Sequence, residues 1–225
     1  MSPARARTSR AAIIAAARDL LEGGGLEAVS MVGVAERVGV RAPSLYKHFG
    51  DRSGLLAAAA TDAAFDLGRT LSGAVERSGT DPSVRLQALA VAYRSFALAT
   101  PRAAALIFAD VAPGATPTPE SQIEAARPVL QVAEAIIGPT RALAAARVLT
   151  AFAYGFASME SAGAFRFGGE VEEAYHLGIS VLSLGLERVA VGGSREEARQ
   201  AGDARGDGLS QRARGPSRAG GGAAG

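Results

Sequence analysis

Residues 30–49, SMVGVAERVGVRAPSLYKHF, read as two short helices meeting at a glycine. Ser30 stands where a helix N-cap belongs, and Val34, Ala35 and Val38 recur at the spacing of one buried helical face. Gly39 closes that helix and permits the tight turn that sets a second helix, about Ala42 to Phe49, at a steep angle to it. Val34, Ala35, Val38, Val40, Leu45 and Phe49 then lock the pair inward. The outer face of the second helix shows Arg41, Ala42, Pro43, Ser44, Tyr46, Lys47 and His48. In a helix-turn-helix, the N-terminal part of the second helix enters the major groove of DNA. Tyr46, Lys47 and His48 are side chains of the kind that hold phosphate oxygens, which positions a protein on the duplex without reading its sequence. The bland alternative is a pair of amphipathic helices that happen to meet at a glycine. The Tyr-Lys-His-Phe run, the Gly39 turn and a basic N-terminal region occur together, and that combination favours the DNA motif.

Working outward, residues 1–9 form an expected flexible basic arm. Thr8 or Ser9 can cap a first helix whose stripe is Ile13, Ala17, Leu20 and Leu21, ended by Gly23-Gly24-Gly25. After Gly50-Asp51-Arg52 a long helix is predicted from about Ser53 to Arg77. Asp81-Pro82, Thr100-Pro101 and Thr118-Pro119 each place a capping side chain before a proline at the first helical position, and Gly138-Pro139 repeats the signal more weakly. These divide the rest into helices near 82–99, 101–110, 119–137, 139–165 and 170–190, with a loop at 113–119. Pro128 should kink or split the helix that contains it. The expected fold is all-α with about nine helices: a helix-turn-helix head over residues 10–52, a larger helical ligand-binding and dimerisation bundle over 53–191, and a disordered tail over 192–225.

The charge is distributed to match. Residues 1–53 hold eight basic side chains against five acidic ones, whereas residues 54–191 hold ten against thirteen. The positive charge therefore sits on the region that carries the motif. Cysteine is absent, which excludes a disulfide framework and thiolate metal sites and fits a reducing cytoplasm. With two histidines, one of them inside the DNA motif, nucleophile–base arrangements are scarce, and neither a Walker sequence nor a dinucleotide fingerprint is present. No catalytic residues, cofactor or metal site are expected. His176 shares a helical face with Glu172 and Glu173, a pattern that reads as a solvated charge cluster. The uncharged stretch Val148 to Met159 falls short of the ~18 residues that cross a bilayer, so no membrane partner is expected. The competing reading is a helical small-molecule-binding protein or enzyme with no DNA role.

At this point the first ~65 residues resemble the DNA-binding domain of TetR-type repressors. The resemblance rests on Ile13-Ile14 and Leu20-Leu21, on Val34 through Val40 across the turn, and above all on Leu45-Tyr46-Lys47-His48-Phe49 followed by Asp51-Arg52-Ser53 and Leu55-Leu56. It implies a dimer, a double-stranded palindromic operator as partner, and a helical body that binds a small ligand. It also implies DNA contacts at Met31, Val32, Ala42, Pro43, Ser44, Tyr46, Lys47 and His48, with Arg52 at a phosphate-contacting position. Val32 departs from the polar residue many members carry there, and Gly50 and Gly54 are expected to loosen the entry to the long helix. The body is similar to a subgroup named for a Trp-His-Gly signature, through Tyr93 to Leu98, Phe108, Gly155 to Glu160 and Gly163 to Phe165. Tyr154 stands where that histidine is expected, and the chain has no tryptophan.

An unidentified small, largely apolar ligand would sit between helices of the body. The candidate lining is Tyr93, Phe96, Phe108, Phe152, Tyr154, Phe156 and Met159, with ordinary core packing as the alternative for each. Tyr154 stands first among them, because a buried phenol needs a hydrogen-bond partner. The last two long helices carry more apolar surface than one core needs, at Val181, Leu182, Leu184, Leu186 and Val189, and are expected to pair with their copies in a homodimer. Small Gly178 and Gly185 would let the partner approach. The long helix through Leu55, Ala59, Asp62, Ala63, Asp66 and Arg69 is the expected link between ligand and head.

Overall fold

The computed structural model describes residues 9–108 and 114–212, with side chains described as far as residue 192. Among these residues there are nine α-helices and no strand: α1 (Arg10–Gly24), α2 (Met31–Arg37), α3 (Ala42–Phe49), α4 (Arg52–Arg77), α5 (Pro82–Ala99), α6 (Pro101–Phe108), α7 (Pro119–Ile137), α8 (Pro139–Ser161) and α9 (Val171–Arg212). A single 3₁₀ turn, Leu26–Ala28, lies between α1 and α2.

The local signals in the chain account for most of these ends. Ser9 accepts from the Ala12 amide, Ser30 from Gly33, Asp51 from Gly54, and Asp81 from Ser83 and Val84, so four helix starts have their exposed donors met by side chains. Thr118 does the same for α7. Thr100 does not cap α6 as its sequence position suggests. Its hydroxyl donates back to the Phe96 carbonyl at 3.0 Å, inside α5. The start of α6 is met instead by Glu22 of α1, whose carboxylate accepts from the Ala103 amide at 2.6 Å and the Arg102 amide at 3.3 Å. A carboxylate at a helix N-terminus is electrostatically favourable, so this cap is also a bridge between head and body.

Two apolar cores are present. One joins Ile13, Leu21, Val29, Val34 and Leu45 with Leu55, Leu56 and Ala60 of α4, and takes in Leu106 of α6. The other joins Ala63, Leu67 and Leu71 of α4 with α5, α7, α8 and Tyr175 and Ile179 of α9. The long helix α4 therefore contributes one half to each core. Arg18 of α1 straddles it, donating to Asp62 at 2.6 Å and to Asp66, which also receives Arg69.

Three expectations about the helices meet a different outcome. Of the two alternatives for Pro128, the split is not what happens: α7 runs unbroken from Pro119 to Ile137, with Pro128 buried. Proline leaves the carbonyl four residues earlier, that of Glu124, without its intrahelical donor. That carbonyl lies against Gly68 of α4, where a Cβ would come within 2.8 Å of it. The missing side chain on one helix thus makes room for the freed oxygen on the other. Gly54 does not loosen the entry to α4 but tightens it, since a Cβ there would collide with the Phe49 carbonyl. Finally, α9 continues to Arg212 rather than yielding to a disordered tail at 192. Helix-favouring Arg, Glu and Ala from Arg195 to Arg199 carry it onward. Residues 213–225, like residues 1–8 of the basic arm, lie outside the described residues. By length and composition α8 could cross a membrane. It is a packed helix of the body, with Ala142, Ala145, Leu149, Ala153 and Ala157 buried.

Candidate DNA-contact surface and ligand cavity

The turn between α2 and α3 is built by Gly39, whose φ of 70° is the left-handed region that glycine enters without cost, and by the Val40 amide donating to the Ala35 carbonyl at 2.9 Å. Val34 and Leu45 are sealed at 0 % exposure, which fixes α3 against the first two helices. What α3 leaves outside is the predicted set: Arg41, Pro43, Ser44, Tyr46, Lys47 and His48 are exposed, and Ala42 is half-buried. Val32 is exposed on the neighbouring helix. The exposed face of α3 therefore carries the cations Arg41 and Lys47 over a closely packed support.

Two residues of the predicted set are placed elsewhere. Met31 is 5 % exposed, its side chain part of the head core rather than offered to a duplex. Arg52 folds back: its Nε donates to the Val29 carbonyl at 2.7 Å and its Nη2 to the Leu26 carbonyl at 2.5 Å. The guanidinium thus staples the 3₁₀ turn to the start of α4. Its fork suits two convergent carbonyls as well as it would a phosphate, a competition that no sequence pattern reveals.

In the body, α4, α5, α6, α7, α8 and α9 surround a cavity of about 300 Å³. Leu67, Leu71, Leu86, Leu89, Val129 and Leu149 form much of its wall, and Tyr93, Gln122 and Thr150 are its polar residues. Of the seven predicted lining residues, Tyr93 and Phe108 line it. Tyr154 stands behind Phe108, ring centroids 5.3 Å apart, and Met159 is half exposed at the surface. Phe152 and Phe156 belong to a different cluster, packed on Tyr175 at 5.7 and 5.0 Å. Phe96 is half-buried against the body core and is not part of the cavity wall. The aliphatic wall was not singled out in the sequence because its members come from six helices whose mutual register no local pattern encodes.

The two buried phenols differ. Tyr175 is fully buried and donates to the Ala90 carbonyl at 2.8 Å. Beside it Arg94 holds Glu160 through two bonds of 2.8 and 2.6 Å and lies over the Tyr175 ring. Tyr93 is 6 % exposed, and its hydroxyl is the one buried side-chain polar atom among the described residues without a hydrogen-bond partner. Burial, then the nearby Tyr154 and Tyr175 phenols, push the Tyr93 hydroxyl far above its ordinary pKa, so it stays a neutral donor. The expectation placed on Tyr154, a buried phenol seeking a partner, applies instead to Tyr93.

Along α8 and α9 a strip of large apolar side chains faces outward. Leu143, Val148, Leu177, Val181 and Leu184 are each more than half exposed, and Val189 is nearly so. Leu182 and Leu186 turn inward against the body core. Gly178 serves this chain's own packing, since a Cβ there would collide with the Phe152 ring. Gly185 has no described atom within 4 Å and remains open. His176 pairs with Glu172 at 3.7 Å on an exposed face, as a solvated cluster would.

Residues 13–59 match the family described as bacterial regulatory proteins, tetR family, and residues 86–182 match the tetracyclin repressor-like C-terminal domain. Among solved structures, a Rhodococcus sp. RHA1 protein of unknown function is 30% identical over 83% of this chain and 100% of its own, with a TM-score of 0.71. A singly substituted TetR from Acinetobacter baumannii AYE, solved in complex with minocycline, is 26% identical over 81% of this chain and 98% of its own, with a TM-score of 0.63. Mycobacterium smegmatis BioQ, 22% identical over 80% of this chain and 99% of its own, shares the fold with a TM-score of 0.59. No curated protein matches the sequence at a significant level.

Proposed function

The chain belongs to the TetR family of bacterial DNA-binding transcriptional regulators, and on that premise we propose a cytoplasmic, homodimeric repressor that a small, largely apolar ligand releases from a palindromic operator. The observation that carries this reading is the position of α6. Ile107 and Phe108 line the cavity, Leu106 is buried in the head core, and Glu22 of α1 holds the N-terminus of the same helix. A molecule that enters the cavity presses on a helix that the head also grips. The long helix α4 gives a second route, because Leu67 and Leu71 line the cavity while Asp62 and Asp66 hold Arg18 of α1. A similar protein has been solved with minocycline, which supports a small organic molecule as the kind of ligand expected here.

The exposed apolar strip of α8 and α9 supports dimerisation, and a palindrome offers two half-sites about 34 Å apart, one for each head. A ligand that alters the spacing of the heads by a few ångströms removes simultaneous engagement and with it the advantage of linked binding. A hundredfold loss of operator affinity requires a ligand preference of about 2.7 kcal/mol for the released state, and operator must weaken the ligand by the same factor. The test begins with operator selection from a random DNA library and a mobility shift on the selected site. Titration calorimetry of an inducing compound, with and without operator, then measures the coupling. Equal ligand affinities in the two titrations would show that cavity and heads are independent.

A further inference from the structure

The head carries five arginines among its described residues, and three of them are committed within the chain. Arg18 holds Asp62 and Asp66 of α4, Arg37 pairs with Asp19 at 3.4 Å, and Arg52 donates to the Val29 and Leu26 carbonyls. The guanidiniums of Arg10 and Arg41 have no carboxylate or carbonyl partner among the described residues. Arg41 stands at the start of α3, inside the surface already described. Arg10 stands on the first turn of α1, where no DNA contact was expected from the sequence.

What holds Arg10 is an aromatic face. Its guanidinium carbon lies 5.0 Å from the centre of the Phe49 ring, and the His48 ring centre lies 6.2 Å from the same point. Arg10 and His48 are therefore no more than about 11 Å apart, and both are exposed. Phosphates follow one another along a DNA strand at a rise of about 3.4 Å, so a backbone that passes His48 carries further phosphates past Arg10. The mode of attachment matters. A carboxylate would orient a guanidinium and cancel its charge, whereas a ring face orients it and leaves the charge uncancelled. Phe49 is 8 % exposed and fixed in the head core, so the anchor is well supported. The acid closest to Phe49 in sequence, Asp51, accepts from the Gly54 amide at the start of α4.

We infer that Arg10 is a phosphate-holding residue of the DNA surface, anchored on Phe49 beside His48, and that it supplies a cation which Arg52 withholds by turning to the Val29 and Leu26 carbonyls. The inference rests on the regulator reading and adds a residue of α1 to a surface otherwise drawn from α2 and α3. The plain alternative is that Arg10 only covers the Phe49 ring with its aliphatic stem. Charge separates the two, because a cover works without it and a phosphate contact does not.

The test uses the full chain and the DNA site selected from the random library, with retardation measured from about 50 to 200 mM salt. Arg10→Met keeps a cover over Phe49 and removes the charge, while Arg10→Lys keeps the charge. Arg10→Met should lower the logarithmic salt slope by about 0.9 for each head on the DNA, and Arg10→Lys should keep the native slope. Arg52→Met should keep the native slope as well, because that cation faces the protein's own carbonyls. Thermal melting checks that each variant is folded, and Arg10→Gln gives a second removal of the charge should the methionine variant fail to fold. A native slope after the charge at position 10 is removed, a slope lowered as far by Arg10→Lys, or a slope lowered by Arg52→Met would overturn the inference. Each of those results is read on DNA that the native protein retards, so it leaves the regulator reading standing. Failure of the native protein to retard any selected DNA would defeat the regulator reading and this inference with it.

Discussion

In the head, Val29, Val34 and Leu45 are sealed at 0 % exposure around a turn fixed by Gly39, and Arg52 is spent on two backbone carbonyls. In the body, Leu89 and Leu149 border a void of about 300 Å³, and the Tyr93 phenol has no partner among the described residues. Both regions are helical and both have cores, so the difference is one of completeness. A surface that must match the spacing of phosphates needs side chains held within fractions of an ångström, and close packing supplies that. A region that must receive a guest keeps unfilled space, and accepts a lower stability in return.

The largest effect should come from the packed side of this contrast. Leu45→Ala should cost about 3 kcal/mol or more and abolish operator retardation, whereas Leu89→Ala, which only widens an existing void, should fall near the low end of the range for such truncations, about 2 kcal/mol. Urea denaturation followed by circular dichroism decides this, and equal costs would break the comparison. Next, Lys47→Ala should weaken binding about tenfold on every DNA sequence and lower the logarithmic salt slope by about one. An unchanged slope would mean that Lys47 points away from the duplex.

Between the two regions stands the Arg18 cluster. Burial raises the Asp66 pKa, but the hydrogen bond and charge of Arg18, with Arg69 behind them, outweigh it and hold the carboxyl below the ordinary value. A depressed carboxylate stabilises the fold above its unfolded pKa, near 4, and loses that contribution as pH falls through the lower folded value. Asp66→Asn should therefore lower stability at pH 7 by less than about 1 kcal/mol, since solvent screens the pair, and the deficit should shrink below pH 4. Melting curves of both proteins across pH 3 to 7 give the answer. The smallest effect belongs to Tyr93→Phe in the absence of ligand, where removing an unpaired hydroxyl should leave stability unchanged or raise it by up to about 1 kcal/mol.

The head was legible in the sequence because its determinants are local. Ser30, Gly39 and the run from Leu45 to Phe49 each act within a turn or two of the chain. Prolines at the starts of α5, α6, α7 and α8 marked the helices of the body for the same reason. Legibility stopped wherever one element answers another. The cap on α6 comes from Glu22 rather than from Thr100, and Arg52 turns toward Val29 and Leu26. Aromaticity was a poor guide to the cavity: Phe152 and Phe156 stack on Tyr175, while aliphatic Leu67, Leu89 and Val129 line the space. Which side chains border a void depends on helix register, and that is a property of the assembled bundle.

Pro128 and Gly68 show what such long-range answers mean for descent. The proline strands a carbonyl, and the glycine on α4 vacates the place where that carbonyl rests. Neither residue is explained by its own helix, where each is a poor former. An ancestor could have acquired the glycine first at small cost and the proline later. The reverse order would have driven a carbonyl into a side chain. Once both were present, reversion at position 68 alone became the harder step, so the two sites are expected to be inherited as a unit while the helices around them diverge.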